Sequence, residues 1–277
     1  MTKISFEFFP PNTPEGLIRL KQVARDLAAA AQPEYFSVTY GAGGSTQDKT
    51  LAAVHMLAGD GHRVVPHVSC LGASEATIKQ LLDGYLALGC DRIVALRGDL
   101  PSGMLQGGTF RYAADLVQFV RQHYGQQFAI EVAAYPEVHP QANNAGSDFD
   151  AFCAKLKAGS DGAITQLFYN ADAYFDFVQR VRRAGFETPI IPGIMPIHSF
   201  SKIRRFAENC GAELPRWLTK RMELLGDDEI AVQALGTEVM ATMCQRLVDA
   251  GAPALHFYTL NKAELSLGIL ERVVLHK

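Results

Sequence analysis

The sequence contains no long apolar run. Nowhere in its 277 residues do about 20 uninterrupted apolar side chains follow one another, so no membrane-spanning helix is expected. Residues Met1 to Pro11 hold no apolar leader core and run straight into a strand-like stretch; no signal peptide is expected, and the expected compartment is the cytoplasm. Cysteine is sparse. The five, Cys70, Cys90, Cys153, Cys210 and Cys244, are odd in number, far apart and form no CxxC pair, which fits reduced thiols rather than a disulfide framework. Excess charge of either sign is missing too. Lys plus Arg number 26 against 29 Asp plus Glu, a net charge of -3, so there is no basic field for a nucleic acid and no cluster for an anionic membrane. Neither HExxH nor a close His/Asp cluster is present to suggest a metal, and GxSxG and Walker A motifs are absent.

The chain does have a regular alternation. Eight short apolar or aromatic runs occur at Ile4–Phe8, Tyr35–Thr39, Val64–His67, Arg92–Leu96, Phe128–Ala133, Ala163–Leu167, Ile190–Ile194 and Ala254–Tyr258. Most begin roughly 30 residues apart, the repeat of a βαβ unit. Amphipathic stretches lie between them, such as Leu17–Ala31 and the Ser74-capped segment that ends at Gly89. The pattern predicts an α/β fold, a single (β/α)8 TIM barrel over residues 1–277. Extra helices around Phe200–Asn209, Pro215–Leu225 and Asp228–Ala250 fall between strands 7 and 8. An open doubly wound sheet is the alternative. For a dinucleotide it wants a GxGxxG turn after the first strand, where this chain has Pro10-Pro11-Asn12-Thr13-Pro14.

A barrel works at the C-terminal mouth of its strands, and polar residues gather at those ends. Glu7 stands among phenylalanines. Burial there would raise its pKa and suit it to general-acid work, although a structural ion pair explains it equally well. The glycine-rich Thr39–Ser45 stretch reads as an anion nest or as a plain turn, and His67 as a ligand contact or a bonded core histidine. Arg97-Gly98-Asp99 offers a guanidinium fork and an acceptor, Tyr135 and His139 lie on a proline-stiffened loop, Ser147-Asp148 reads as a helix opening toward phosphate, and Gln166 carries an amide suited to a heterocycle edge. Pro192-Gly193-Ile194-Met195-Pro196 reads as a rigid turn. Such a set without a metal suggests that an organic cofactor carries the reaction.

These phrases, in order and over essentially the whole chain, resemble one family. Phe6-Glu-Phe-Phe-Pro-Pro11, Val38-Thr-Tyr-Gly-Ala-Gly-Gly-Ser45, Leu96-Arg-Gly-Asp99, Ala134-Tyr-Pro-Glu-Val-His139, Ala163-Ile-Thr-Gln166, Ile191-Pro-Gly-Ile194 and His256-Phe-Tyr-Thr-Leu-Asn261 are similar to the 5,10-methylenetetrahydrofolate reductases, at the length of the bacterial form, which is the catalytic barrel alone. The resemblance implies FAD as cofactor, NADH as cosubstrate and reduction of methylenetetrahydrofolate to 5-methyltetrahydrofolate, the methyl donor for methionine synthesis. It implies a ping-pong mechanism with hydride transfer through flavin N5, and a homo-oligomer. A flavin barrel that oxidises another amine, such as proline, and a non-catalytic folate-binding barrel are the competing readings.

Matched residue by residue, the resemblance makes Glu7 the proton donor to folate N10 and Asp99 the residue that contacts the pterin and influences the flavin. Gln166 and Phe206 would meet the substrates. Thr39, His67, Arg97, Gly98, Asp99, Ala113, Tyr135, His139, Ala142, Asp148 and Lys155 fall on FAD-binding positions. Four positions depart from relatives. Lys202 stands where a Gln touches folate, and Lys262 replaces an Arg near the folate tail, losing the planar fork. Ala151 and Ala154 stand where Asn and Arg flank the FAD diphosphate, which implies weaker or differently anchored FAD.

Overall fold

The computed structural model describes residues 2–40, 47–98, 108–226 and 228–275. Strands β1 (Lys3–Phe8), β2 (Tyr35–Val38), β3 (Val64–Ser69), β4 (Arg92–Leu96), β5 (Ala129–Ala134) and β6 (Gly162–Thr165) pair in parallel with their chain neighbours. The seventh barrel strand is divided into β7 (Ile190–Ile191) and β8 (Gly193–Ile194), and β9 (Ala254–Tyr258) returns beside β1. Because β7 pairs with β6 and β8 with β9, the divided strand joins the two ends of the nine-stranded sheet into a nearly closed barrel.

Proline explains the division. Pro192 has no N–H to give the ladder, but its carbonyl accepts from His256 N at 3.1 Å. The rigid turn expected at residues 192–196 is therefore corrected: Gly193–Ile194 continues the barrel. Helices α1 (Pro14–Ala31), α2 (Gln47–Gly59), α3 (Glu75–Ala87), α4 (Ala113–Tyr124), α5 (Ala145–Lys157) and α6 (Ala171–Arg183) fill the crossovers. After β8 come α7 (Phe200–Cys210), α8 (Arg216–Leu225) and α9 (Glu229–Asp249), and α10 (Glu264–Leu270) follows β9. The helix expected to open at Ser147 starts two residues earlier. Asn144 caps it by accepting from Ser147 N at 2.9 Å, which leaves Asp148 inside the first turn.

The period-2 alternation of strands decides what each face meets. On β1, Ile4, Phe6 and Phe8 pack outward into the large core shared with the helices, with Phe8 stacked on Phe36 at 5.2 Å. A separate small cluster of Tyr35, Val65, Val94, Ile164, Ile191 and Ala254 lies on the opposite faces of the strands. Polar side chains share this buried interior: Ser5, Ser37 and His256 at mid-height, and Glu131 with Arg92 near the N-terminal ends.

Glu131 is 4% exposed and accepts from Arg92 Nη1 at 3.0 Å. Burial outweighs the guanidinium and raises its pKa from the usual 4.5 to about 7. The folded chain thus holds this proton more tightly than the unfolded one. The stability it contributes is complete below 4.5 and is lost as pH rises through about 7. The loss is about 3 kcal/mol at most. Glu131→Gln keeps an acceptor for Arg92 and does not titrate. Its melting temperature, measured from pH 4.5 to 8, should lack the part of the decline that wild type shows; parallel curves would refute the assignment.

Candidate active site

A cavity of about 840 Å3 opens at the C-terminal ends of the strands. Its walls bring together Glu7, Thr39, His67, Arg97, Gly98, Ala113, Tyr135, His139, Lys155, Gln166 and Phe206. Eleven expected positions thus share one space: most come from strand ends and the loops after them, as the barrel topology requires, while Ala113, Lys155 and Phe206, expected from the resemblance, come from α4, α5 and α7. Asp99 and the glycine-rich segment 41–46 lie outside the described residues.

Glu7 points inward from β1. Its Oε2 lies 3.2 Å from His67 Nε2 and 3.3 Å from His256 Nε2. His256 is fully buried, and its Nδ1 is 2.7 Å from Ser5 Oγ. Burial raises the Glu7 carboxyl, but the two imidazoles outweigh it and hold the pKa down at about 2. The raised pKa expected from the phenylalanine surroundings is thereby corrected. The aromatic neighbours Phe6 and Phe8 face the helices, and the groups that touch the carboxyl are histidines from β3 and β9.

The rest of the wall is preformed. Tyr258 follows His256 by two residues on the inner face of β9, pairs in register with Glu7, and donates to Thr165 O at 2.5 Å. Gln166 N donates to Ala134 O at 2.7 Å, and its Oε1 accepts from Leu167 N at 2.9 Å, which leaves the amide NH2 for the cavity. Tyr135 and His139 lie with ring centroids 4.4 Å apart, and Gln141 N donates to His139 Nδ1 at 3.0 Å. Arg97 donates to the Gln141 side chain across the mouth. Gly98 has φ +92°, and a Cβ there would collide with Ser69 Oγ, so no other residue fits that turn.

Lys155 reaches in from α5. Its Nζ donates to Ala133 O at 2.5 Å, and Asp148 sits in the same helix, accepting from His139 N at 3.1 Å. Burial lowers the Lys155 pKa to about 8, partly offset by Asp148. An ammonium buried beside so little negative charge suits an anionic ligand. Asp148 and Ala142 do not line the cavity: Ala142 N closes a turn onto His139 O at 2.9 Å, one shell behind the wall. Lys202 is exposed on α7, Ala151 and Ala154 are exposed on α5, and Lys262 Nζ lies 2.5 Å from His198 Nε2 away from the lining.

Sequence reasoning gave no role to several wall residues: Phe9, Met195, Cys210, Tyr258 and Leu260. Tyr258 was open to discovery by counting two from the inward His256. Cys210 comes from the end of α7, and no strand period reaches it.

Fold and mouth together define a (β/α)8-barrel enzyme. A family profile described as methylenetetrahydrofolate reductase matches residues 1–274. A probable methylenetetrahydrofolate reductase (NADH) of Oryza sativa is 38% identical over 283 residues, covering 97% of this chain and 48% of that protein. The 5,10-methylenetetrahydrofolate reductase of Escherichia coli is 37% identical, with 96% of this chain and 88% of that one covered. The chain belongs to the methylenetetrahydrofolate reductase family. It spans about half the length of the rice relative. Among solved structures, a Clostridium thermocellum protein described as binding two copies of 5-methyl-5,6,7,8-tetrahydrofolic acid has a TM-score of 0.66, covering 98% of this chain and 94% of that one. At 18% identity that likeness speaks for the fold alone.

Proposed function

We propose that this barrel reduces 5,10-methylenetetrahydrofolate to 5-methyltetrahydrofolate with NADH, in two half-reactions at one FAD-bearing mouth, and so supplies methyl groups for methionine synthesis. The observation that carries this reading is the inward carboxyl of Glu7, set between two imidazoles on the wall of a large cavity in a chain of this family. When bound, FAD supplies the chemistry of accepting a hydride from the nicotinamide and returning it to the folate methylene carbon. Lys155, Arg97, Thr39, His67, Gly98, Ala113, Tyr135 and His139 would hold it, with Asp148 and Ala142 supporting the loop behind and Asp99 contacting the pterin. Lys155 fits the diphosphate as a buried cation, and the exposed alanines at positions 151 and 154 leave it as the cation of that stretch of α5 that reaches the cavity.

The chain's own part in the second half-reaction is one proton. Two imidazole nitrogens lie 3.2–3.3 Å from the Glu7 carboxyl and can relay a proton to it. The proton passes from ring nitrogen to Glu7 Oε2 as the carboxyl O–H forms, and from Oε2 to folate N10 as the ring C–N bond opens. Ser5 bonds the far nitrogen of His256 and fixes which nitrogen faces Glu7. Gln166 presents its amide to the pterin or the nicotinamide and Phe206 covers either substrate from α7. Lys202 and Lys262, outside the cavity lining, would meet the folate tail where it leaves the mouth. The reading includes one catalytic domain, a cytoplasmic location and a homo-oligomer.

Initial rates measured with both substrates varied test it. A shared, alternately occupied mouth gives parallel double-reciprocal lines and 5-methyltetrahydrofolate as product. Intersecting lines would mean that the nicotinamide and folate bind together, and no product would remove the reading.

A further inference from the structure

The loop that follows β9 has a conformation seldom found without glycine. Leu260 has φ +53° and Asn261 φ +57°, the only consecutive non-glycine pair at positive φ among the described residues. Lys262 N donates to Thr259 O at 3.0 Å, so residues 259–262 form a turn with both central residues left-handed. Glycine, and asparagine after it, suit such positions; leucine does not, and the conformation costs it about 1–2 kcal/mol. A turn of this kind persists only where its surroundings over-determine it.

Here the surroundings are the end of β1. Asn261 Nδ2 donates to Phe9 O at 2.8 Å, and Phe9 N donates to Asn261 Oδ1 at 3.0 Å. The carboxamide thus pairs with both backbone groups of Phe9, as a neighbouring strand would. Pro10 follows and has no N–H with which to continue a ladder. Thr259 Oγ1 donates to Glu7 O at 2.7 Å, its N donates to the same carbonyl at 3.3 Å, and its Oγ1 in turn accepts from Asn261 N at 3.1 Å. Four hydrogen bonds therefore run from one strained turn to the two residues, Glu7 and Phe9, at the mouth end of β1.

We propose that Asn261 is a positioning residue, whose carboxamide clasps the end of β1 to the turn after β9 and fixes the Glu7 carboxyl relative to the imidazoles of His67 and His256. The turn also contributes Leu260 to the cavity wall that Phe9 lines, so one clasp sets both the acid and the rim. This inference rests on the proposed role of Glu7 in proton delivery.

Asn261→Gly tests it, because glycine accepts the left-handed conformation without strain and removes only the carboxamide. Thr259→Val, which deletes the hydroxyl bonded to the Glu7 carbonyl, serves as a second variant. Each FAD-loaded variant is reduced with NADH and then mixed anaerobically with methylenetetrahydrofolate. Reduction should stay within about twofold of wild type, while reoxidation by the folate falls by tenfold or more, the scale expected for a misplaced catalytic group. Carboxyl 13C NMR of Glu7 in the purified protein should also show a changed titration. Equal losses in both half-reactions, or an unchanged reoxidation rate and Glu7 titration, would overturn the clasp. A wild-type protein that is not reoxidised by the folate would instead overturn the reading on which it rests.

Discussion

Glu7→Gln should leave the reduction of bound flavin by NADH nearly intact and slow the folate half-reaction by about 10²- to 10⁴-fold, the range a general acid contributes. Only the second half-reaction needs a proton at folate N10. Glutamine has the size of glutamate and can still accept a hydrogen bond from His67 or His256, 3.2 and 3.3 Å from the present carboxyl oxygen. It cannot carry the proton across. The two imidazoles favour the ionised carboxylate over its buried neutral form, so its loss should lower the melting temperature, which is measured alongside. Rapid-mixing absorbance, with the half-reactions measured separately, distinguishes the outcomes. Equal loss in both would make Glu7 a cofactor contact or a structural ion-pair partner.

Gly193→Ala should give the largest loss of stability. Gly193 lies in the second half of the divided strand, and its N donates to Thr165 Oγ1 at 2.8 Å. A Cβ there would meet the Thr165 carbonyl oxygen, which belongs to the backbone of β6 and cannot swing away, and would come within 2.5 Å of the Tyr258 hydroxyl. The barrel closes through this residue, so the clash opens the β6–β9 seam and displaces Tyr258 from the cavity wall beside Glu7. Overpacking of a backbone contact costs about 1–3 kcal/mol or more. At roughly 2–4 °C per kcal/mol for a chain of this size, a fall of about 5–10 °C in melting temperature is expected, with weaker folate-dependent turnover. An unchanged melting temperature would contradict the packing described.

Much of the fold was legible because strands and helices repeat with fixed periods. The eight strand positions, the three helices after Ile194 and the Ser74 cap are all in the structure. The boundaries that moved did so for local reasons. Proline at position 192 divides one strand, and Asn144 caps α5 ahead of Ser147. The site was legible as a place and partly as chemistry, since eleven of the chosen positions line one cavity. The Glu7 environment was misjudged because its neighbours in sequence, Phe6 and Phe8, point to the other face of the strand. Its neighbours in space, His67 and His256, are 60 and 249 positions away along the chain. The Asn261 clasp was hidden for the same reason: its partner Phe9 is 252 residues distant.

The most direct test of the central claim is an anaerobic titration of the purified, FAD-loaded protein, followed by flavin absorbance. NADH alone should bleach the flavin, and methylenetetrahydrofolate alone, added afterwards, should restore the oxidised spectrum with stoichiometric 5-methyltetrahydrofolate. A protein that takes up no FAD, or whose bleached flavin the folate fails to reoxidise, would contradict the account.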